Sequence, residues 1–331
     1  MSLNGNASAL RVGVIGLGYF GRHHYRILSK MKDVALTAVS DINPQRIEEV
    51  IFNLSAQTDQ HQGDVVPNRC STDYRQILPL IDAVVIATPT SAHCPIALDC
   101  LRADKHVFIE KPITATLEEA DLIIQEAHNR GLKTQVGHVE RYNPVLVRAQ
   151  ALIDTPLFIE TERLSPLIDR AFNIDVTLDL LIHDVDIVLS IARSKMKAVR
   201  AVGARVLTEK IDVARAWIEF DNGLNAILTT GRLSPDKRRF IKVFQRDVSL
   251  SLDLHNITLN RHVLEGMSIK SEEVEVDRFE PLERELMDFV KCVRSDKEPP
   301  VTATEARNAL ELTILINNAI KENKAYESLM I

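Results

Sequence analysis

The stretch RVGVIGLGYFG (11–21) decides the fold of the first part of the chain. A short β-branched run, typical of a buried strand, leads directly into Gly16, Gly18 and Gly21 in the spacing G-x-G-x-x-G. Glycines at this spacing permit a tight turn and let the backbone approach a pyrophosphate, and a helix beginning near Tyr19 would direct its positive dipole end there. The stretch predicts a strand, a glycine turn and a helix that bind a dinucleotide.

An acidic residue follows this turn at the distance expected for such a site. Asp41 comes directly after the strand-like run VALTAVS (34–40). Its carboxylate can accept hydrogen bonds from a ribose diol and would repel a 2′-phosphate, which favours NAD over NADP. Arg46 supports the alternative, NADP, because it could contact an adenosine phosphate. Tyr19 and Phe20, inside the glycine turn, are predicted to line the cofactor; the opposing interpretation is a glycine turn that serves packing alone.

Strand-like runs and amphipathic segments continue to alternate up to about residue 137. The further strands are predicted at AVVIAT (83–88), HVFIE (106–110) and KTQVG (133–137), and the helices between them at SAHCPIALDCLRADK (91–105) and LEEADLIIQEAHNRG (117–131). This alternation is typical of βαβ units, and therefore of a parallel sheet with helices on both faces. We expect residues 1–136 to form a doubly wound α/β domain of the Rossmann type.

The pattern changes in residues 137–331, where several strands follow one another. They are predicted at AVRAVGARVL (198–207), VARAWIEF (213–220), LNAILTTGRL (224–233), RFIKVFQ (239–245), VSLSLDL (248–254) and ITLNRHV (257–263). The triplet Asp221-Asn222-Gly223 between two of them is a hairpin signal. We expect neighbouring antiparallel strands in an α+β domain with one open, largely antiparallel sheet, closed by helices at LERELMDFVKCV (282–293) and TEARNALELTILINNAIKEN (304–323).

Two further turns lie at the carboxyl ends of predicted strands, where an open α/β sheet binds its ligands. The first, ATPTSAH (87–93), offers Thr88, Pro89 and His93 as residues lining the nicotinamide side of the cofactor. The alternative is structural, with Pro89 ending the strand and Ser91 capping the next helix, and for Ser91 we favour capping.

The second turn is EKP, in which Glu110 and Lys111 are predicted to lie beside the cofactor. A lysine at this place can donate a hydrogen bond to a substrate hydroxyl and stabilise a developing alkoxide. By residue type alone, Lys111 would be a solvated lysine. Its position at the end of a strand favours the catalytic interpretation.

The stretch DLLIHDVD (179–186) would place Asp179, His183 and Asp186 on one helix face, since i, i+4 and i+7 coincide. Imidazole has a pKa near neutrality and suits proton transfer, although a lone histidine is more often structural. We interpret Asp186 as a structural cap or ion pair.

Composition and charge favour small metabolites as partners of this chain. A formal net charge of −6 and a pI near 6.0 give no support for nucleic-acid binding. The four cysteines, scattered without zinc-site spacing, are interpreted as reduced thiols, and no metal site is expected. The opening MSLNGNASAL lacks the basic and apolar regions of a signal peptide, and no apolar run could span a membrane, so we expect a cytoplasmic protein.

VGVIGLGYFG, EKP and the Asp-x-x-x-His-x-x-Asp pattern, in this order, resemble the Gfo/Idh/MocA family of oxidoreductases. The resemblance extends to FDNG (220–223) and PPVTATEARNALELTILINNAI (299–320). It implies a nicotinamide cofactor, a second domain whose open sheet commonly forms an oligomer interface, and catalytic roles for Lys111, Asp179 and His183. Leu181 stands where many members have glycine, and LIHDVD is similar to the inositol dehydrogenase version.

VGHVERYNP (136–144) followed by LDLLIHDVDIV resembles the branch that includes UDP-N-acetylglucosamine 3-dehydrogenases. We therefore expect an enzyme that transfers hydride between NAD and a secondary hydroxyl of a sugar or nucleotide sugar. The alternatives are a cyclitol or small diol dehydrogenase and a non-catalytic nucleotide-sensing regulator. A homodimer or homotetramer is expected, since an open apolar sheet face needs a partner.

Three residues past the last strand of the first domain are substrate candidates, namely His138, Arg141 and Tyr142. Arg141 could contact an anionic group of the substrate or form a structural salt bridge. The basic run DKRR (236–239) could bind the diphosphate of a nucleotide sugar, although charged runs in loops are more often simply solvated.

Overall fold

The structure, a computed structural model, describes residues 9–57, 67, 69–167 and 173–323. The chain divides into two compact units, the first formed by Met1–Gly137 with Leu282–Arg307 and the second by His138–Pro281 with Asn308–Ile331. The sequence-based division at 136/137 assigned everything after it to the second domain. The segment Leu282–Arg307 differs from that expectation, and the core of the first unit explains why.

A six-stranded sheet with the order β3-β2-β1-β4-β5-β6 forms the centre of the first unit, and every adjacent pair of its strands is parallel. The strands are β1 (Leu10–Ile15), β2 (Val34–Ser40), β3 (Arg69–Ser71), β4 (Ala83–Ile86), β5 (His106–Glu110) and β6 (Thr134–Gly137). The helices up to Arg130 are α1 (Tyr19–Leu28), α2 (Pro44–Gln57), α3 (His93–Arg102) and α4 (Leu117–Arg130). The doubly wound α/β prediction is confirmed, with the short edge strand β3 as an addition.

Packing against this sheet explains why a distant helix belongs to the first unit. Helix α7 (Pro281–Ser295) places Leu286 and Phe289, both fully buried, in the same apolar cluster as Val12 and Phe108. The rings of Phe108 and Phe289 meet edge to face at 5.7 Å. Burial of each such side chain contributes about 1.5–3 kcal/mol to stability. The α7 sequence is amphipathic, but its period does not reveal which sheet it covers.

The second unit contains an eight-stranded sheet with the order β14-β13-β12-β11-β7-β10-β9-β8. Its strands are β7 (Phe158–Leu164), β8 (Met196–Ala204), β9 (Val213–Phe220), β10 (Asn225–Gly231), β11 (Arg238–Gln245), β12 (Val248–Asp253), β13 (Thr258–Glu265) and β14 (Ser268–Glu273). All adjacent pairs are antiparallel except β7 with β10. The open, largely antiparallel sheet is confirmed. The expectation that β10 and β11 are neighbours is wrong, because β7 lies between them.

One face of this sheet is buried and the other is open. Helices α5 (Pro144–Gln150), α6 (Ile182–Ala192) and α8 (Ala303–Lys321) contribute to the apolar cluster that includes the inward residues of the strands. Along β9, Ala214, Ala216 and Ile218 are buried, whereas Trp217 is 45% exposed. The open face carries aromatic rings, with Phe158 lying 6.5 Å from Trp217 and 6.0 Å from Phe244.

All four cysteines are free thiols, as predicted, and three of them are buried. Burial raises the pKa of Cys100 to about 12, so this thiol stays protonated at neutral pH. Among the helices in the described part of the chain, none combines the length and the apolar character that a membrane span requires. Residues 9–57, 67, 69–167 and 173–323 contain no cluster of three or more His, Cys, Asp or Glu side chains suited to a metal ion.

Candidate active site

The glycine turn has the geometry that its sequence predicts. Gly16 adopts φ +91°, and a Cβ there would lie 2.7 Å from the backbone of Ala87. A Cβ on Gly21 would clash with the carbonyl oxygen of Gly16. By contrast, a Cβ on Gly18 would meet only the Arg46 side chain, at 3.9 Å. The two outer glycines thus permit the turn itself, while the middle one leaves open space over the start of a helix.

That helix is prepared for an anion. Helix α1 begins at Tyr19 with Gly18 at its N-cap, has no side-chain cap and carries no acidic residue in its first turn. Its first N–H groups and the positive end of its dipole therefore suit a phosphate. The open space at Gly18 and the uncapped helix fit the pyrophosphate of NAD. Tyr19 and Phe20, predicted to line the cofactor, are 58% and 43% exposed.

Asp41 is held firmly at the end of β2. Its Oδ2 accepts the backbone N–H of Leu17 at 2.7 Å, and its Oδ1 accepts that of Asn43 at 2.8 Å. Arg46 approaches the same carboxylate at 3.5 Å. Each carboxylate oxygen has a second lone pair, so Asp41 can still accept a hydrogen bond from a ribose hydroxyl. The bond to Leu17 connects the acidic residue directly to the glycine turn.

The turn after β4 differs from its expected local structure. A short 3₁₀ turn over Thr90–Ala92 follows Pro89, and α3 begins at His93 with Ala92 as its N-cap and no side-chain cap. The prediction that Ser91 caps the helix is therefore wrong, because the 3₁₀ turn moves the helix start past it. His93 is buried, and both of its ring nitrogens contact backbone carbonyl oxygens, those of Thr88 and Pro112.

The EKP turn is held by a buried partner that sequence reasoning did not identify. Oε1 of Glu110 lies 2.6 Å from Nε2 of His24, which belongs to α1 and is fully buried. Oε2 of Glu110 accepts the backbone N–H of Lys111 at 3.2 Å. Burial opposes ionisation of Glu110, but the hydrogen bond and charge of His24 outweigh it and hold the pKa of Glu110 below its usual range.

In the second unit, Asp179 and His183 lie at a break in helical geometry. A π turn spans Thr177–Leu181, with the N–H of Ile182 bonded to the carbonyl oxygen of Thr177, and α6 begins at Ile182. Both Asp179 and His183 are half-buried. The sequence did not predict this π turn, which contains more residues than an α-helical turn. Such turns occur frequently at functional sites.

Asp186 forms an ion pair, one of the two structural roles that the sequence predicts for it. Arg141 donates from Nε to Oδ2 of Asp186 at 2.6 Å and from Nη2 to Oδ1 at 2.9 Å. The buried His138 lies 3.8 Å from the same carboxylate. Tyr142, the residue after Arg141, is also buried. Arg141 was considered either as a contact to an anionic substrate group or as a structural salt bridge, and the structure shows the salt bridge.

A buried charge network anchors α6 to the sheet. Arg163, on the inward face of β7, donates to Oδ1 of Asp184 at 2.8 and 3.0 Å and to Oε1 of Glu140 at 2.9 Å. Arg239 donates to the same oxygen of Glu140 at 2.9 Å. Burial opposes ionisation of Glu140, but the two arginine charges outweigh it and hold its pKa below the usual range. Asp184 is the residue after His183, so this network fixes the backbone beside it.

Two arginines of the basic run DKRR lie close to acidic side chains. Arg239 pairs with Glu140, and Arg238 lies 3.7 Å from Glu162. A signal for the larger network was present in the sequence, since the alternation in β7 places Arg163 in register with the inward residues Ile159 and Thr161. An arginine at an inward position requires acidic partners, but their identity depends on the fold.

Comparison with known proteins places these features in a family. Residues 10–138 match the model described as the oxidoreductase family, NAD-binding Rossmann fold, of GFO/IDH/MocA proteins, and residues 153–251 match the GFO/IDH/MocA C-terminal domain. The chain is 32% identical over 319 residues to UDP-N-acetylglucosamine 3-dehydrogenase of Acidithiobacillus ferrooxidans, covering 94% of this chain and 97% of that protein.

A second curated relative, the scyllo-inositol 2-dehydrogenase (NAD(+)) of Bacillus subtilis, is 28% identical, with 94% of each chain covered. A solved structure of the Acidithiobacillus ferrooxidans enzyme superposes with a TM-score of 0.87 at 32% identity, covering 95% of this chain and 99% of that one. The expected family and its cofactor are thereby confirmed. The chain belongs to the Gfo/Idh/MocA oxidoreductases and is an NAD-binding dehydrogenase of the sugar and inositol type.

Proposed function

We propose that this protein oxidises the 3-hydroxyl of UDP-N-acetylglucosamine with NAD. The observation that carries the proposal is the 32% identity to an enzyme of that name over nearly the full length of both chains. The motif VGHVERYNP followed by LDLLIHDVDIV supports the same branch. We assign cofactor binding to the first unit.

The cofactor preference rests on charge. Asp41 places a buried carboxylate where an adenosine ribose is expected, and a 2′-phosphate would meet its negative charge. Arg46, 3.5 Å from that carboxylate, is already neutralised in part by it. Asp41 therefore favours NAD over NADP. Thr88, Pro89 and Glu110 belong to the turns proposed to surround the nicotinamide side of the cofactor.

Three side chains are proposed to handle the proton and the oxygen. Bound NAD supplies the hydride acceptor. His183, which is half-buried, takes the proton of the substrate hydroxyl, because a neutral imidazole can act as a general base. Lys111 donates a hydrogen bond to the same oxygen and stabilises its alkoxide character. Asp179 orients the sugar through a neighbouring hydroxyl.

The test is turnover of purified protein with UDP-N-acetylglucosamine and either NAD or NADP, followed by the absorbance of reduced nicotinamide. We expect turnover with a higher kcat/KM for NAD, and a loss of about 10²–10⁴-fold in kcat for His183→Ala, the size of general-base catalysis. His255→Ala is the matched control, because His255 is an exposed histidine of the same unit. It should leave kcat unchanged.

Two outcomes would contradict the proposal. Turnover of myo- or scyllo-inositol without turnover of the nucleotide sugar would favour the cyclitol alternative, to which LIHDVD and the inositol dehydrogenase relatives point. NAD binding with no turnover of either substrate class would favour a nucleotide-sensing regulator.

The assembly proposed is a homodimer or homotetramer formed through the open face of the second sheet. Trp217, Phe240 and Phe244 are all partly exposed on that face, and exposed aromatic clusters mark association surfaces. Light scattering during size exclusion should return the mass of two or four chains. The mass of one chain would contradict the proposal.

A further inference from the structure

Arg232, the residue directly after β10, is the centre of a buried hydrogen-bond cluster in the second unit. Its side chain is 2% exposed, and the neighbouring Asp212 is fully buried. Nε of Arg232 donates to Oδ1 of Asp212 at 2.7 Å. Oδ2 of Asp212 accepts the backbone N–H groups of Val206, Leu207 and Thr208 at 2.8–2.9 Å. Because the carboxylate is itself bound by backbone, the guanidinium has a fixed position.

The other side of the guanidinium binds the chain just before the turn that carries Asp179. Nη1 of Arg232 donates to the carbonyl oxygen of Ile174 at 2.7 Å, and Nη2 donates to that of Ile211 at 3.2 Å. A planar guanidinium presents several N–H donors in fixed directions, and so it reaches the carboxylate and both carbonyl groups together. Arg232 therefore joins two segments of chain that lie far apart in sequence.

Backbone contacts extend this connection to Asp179. The N–H of Ile211 donates to Oδ1 of Asp175 at 2.9 Å, and the N–H of Val176 donates to the carbonyl oxygen of Ile211 at 2.9 Å. The carbonyl oxygen of Asp175 accepts the N–H groups of Leu178 and Asp179, both at 3.1 Å. A continuous path of hydrogen bonds thus leads from the buried guanidinium to the backbone of Asp179.

The start of the π turn is therefore fixed from outside the turn. Asp179 lies within Thr177–Leu181, and π turns are rare and mostly single turns attached to an α-helix. The direction in which a side chain of such a turn points depends on where the turn begins. Residues 174–176, bound by the arginine cluster, are the residues that lead into it.

We propose that Arg232 is a positioning residue that, from its ion pair with Asp212, fixes residues 174–176 and thereby the direction of Asp179. This inference rests on the proposed function for the role of Asp179 toward the sugar. It assigns Arg232 no contact with the substrate. All of the hydrogen bonds that carry it lie within the second unit.

The first test is Arg232→Lys, which keeps the positive charge beside Asp212 but loses the planar set of donors that binds Ile174 and Ile211. Hydrogen exchange of the full chain, without substrate and followed by mass spectrometry, measures the protection of residues 174–181. We expect exchange there to become at least about tenfold faster while exchange in β12 stays unchanged. Unchanged exchange in residues 174–181 would overturn the proposal.

The second test leaves the buried ion pair intact. Asp175→Ala removes the acceptor of the Ile211 N–H, whereas Asp175→Asn retains an oxygen that can accept it. We expect faster exchange of residues 174–181 in the Ala variant and the exchange of the parent protein in the Asn variant. Equal exchange in the two variants would overturn the proposal. This pair decides the outcome if Arg232→Lys also speeds exchange in β12.

The third test is kinetic and uses UDP-N-acetylglucosamine with NAD. Because Asp179 is proposed to orient the sugar, we expect Arg232→Lys to raise KM for the sugar and to lower kcat/KM about 10- to 100-fold, as misplaced groups do. KM for NAD should not change. In an Asp179→Ala background, Arg232→Lys should cause no further loss, since both changes act through one side chain.

A merely structural role of Arg232 would give a different result. It would lower kcat through a smaller folded fraction at unchanged KM, and its loss would multiply with that of Asp179→Ala; either result would overturn the positioning role. The control is Arg246→Lys, an exposed arginine in the turn after β11, which should leave kcat, KM and exchange unchanged. If the parent protein turns over no substrate, the proposed function fails, while the exchange results still decide whether Arg232 fixes residues 174–176.

Discussion

The two units hold their candidate site residues by different means. In the first, glycine backbone and the buried ring of His93 hold the turns after β1, β4 and β5, mostly through contacts to backbone groups. In the second, the ion pairs Arg163–Asp184 and Arg141–Asp186 hold α6. A bond to a backbone group can be replaced by water or a neighbouring amide, whereas a buried charge that loses its partner has no substitute. We therefore expect the residues that hold α6 to tolerate substitution less well than the residues that hold the turns of the first unit.

Removing Arg163 should give the largest effect. Arg163→Met leaves Glu140 and Asp184 buried without their main counter-charge, which is expected to lower the free energy of unfolding by about 3–5 kcal/mol. Arg246→Met is the matched control, since Arg246 is an exposed arginine in the turn after β11 of the same unit, and it should change stability by less than about 0.5 kcal/mol. Urea denaturation measures both. A similar loss of unfolding free energy in the two variants would contradict a stabilising role of the buried network.

Substitution of Gly21 tests the first unit at its tightest contact. Gly21→Ala introduces a Cβ that clashes with the Gly16 carbonyl oxygen, so the turn must shift at a cost of about 1–3 kcal/mol. We expect NAD affinity, measured by calorimetric titration, to fall at least about tenfold. In the control Gly131→Ala, a residue with φ +64° and open space around it loses about 1 kcal/mol of stability. Its NAD affinity should not change; equal affinity in both variants would contradict the role of the turn.

A smaller effect than that of Arg163→Met should come from Asp212, a buried charge of the second unit held by three backbone N–H groups and by Arg232, which donates to its Oδ1 at 2.7 Å and also to the carbonyl oxygens of Ile174 and Ile211. Burial opposes ionisation of Asp212, but the N–H groups of Val206, Leu207 and Thr208 outweigh this and lower its pKa. A depressed pKa means that this stabilisation is fully present above the usual pKa of an aspartate and is lost as pH falls through the lower folded value. Asp212→Asn should therefore reduce stability by about 1–3 kcal/mol at neutral pH.

The matching control for Asp212 is the pH dependence itself. Urea unfolding across the acid range should show the variant and the parent converging as pH falls. A constant difference at every pH would mean that the charge contributes nothing and that only the shape of the side chain matters.

Much of the candidate site was predictable because it depends on short stretches of chain. The glycine turn needs positive φ and the absence of Cβ atoms, and those requirements are visible as Gly16 and Gly21. Asp41 follows a strand of ordinary length. The same local logic did not reveal the π turn that contains Asp179, and it failed at Ser91, where a 3₁₀ turn shifts the start of α3.

By itself, then, the sequence determined the alternation of strands and helices, the nucleotide-binding turn with its acidic partner, and the family with its candidate residues. Only the tertiary structure decided which distant groups meet: β7 between β10 and β11, α7 on the first sheet, His24 beside Glu110, and Arg163 between Glu140 and Asp184. The reason is physical. Periodicity and turn chemistry act over a few residues and are written in local sequence, whereas a strand order or a buried ion pair is selected by the packing of segments far apart in the chain.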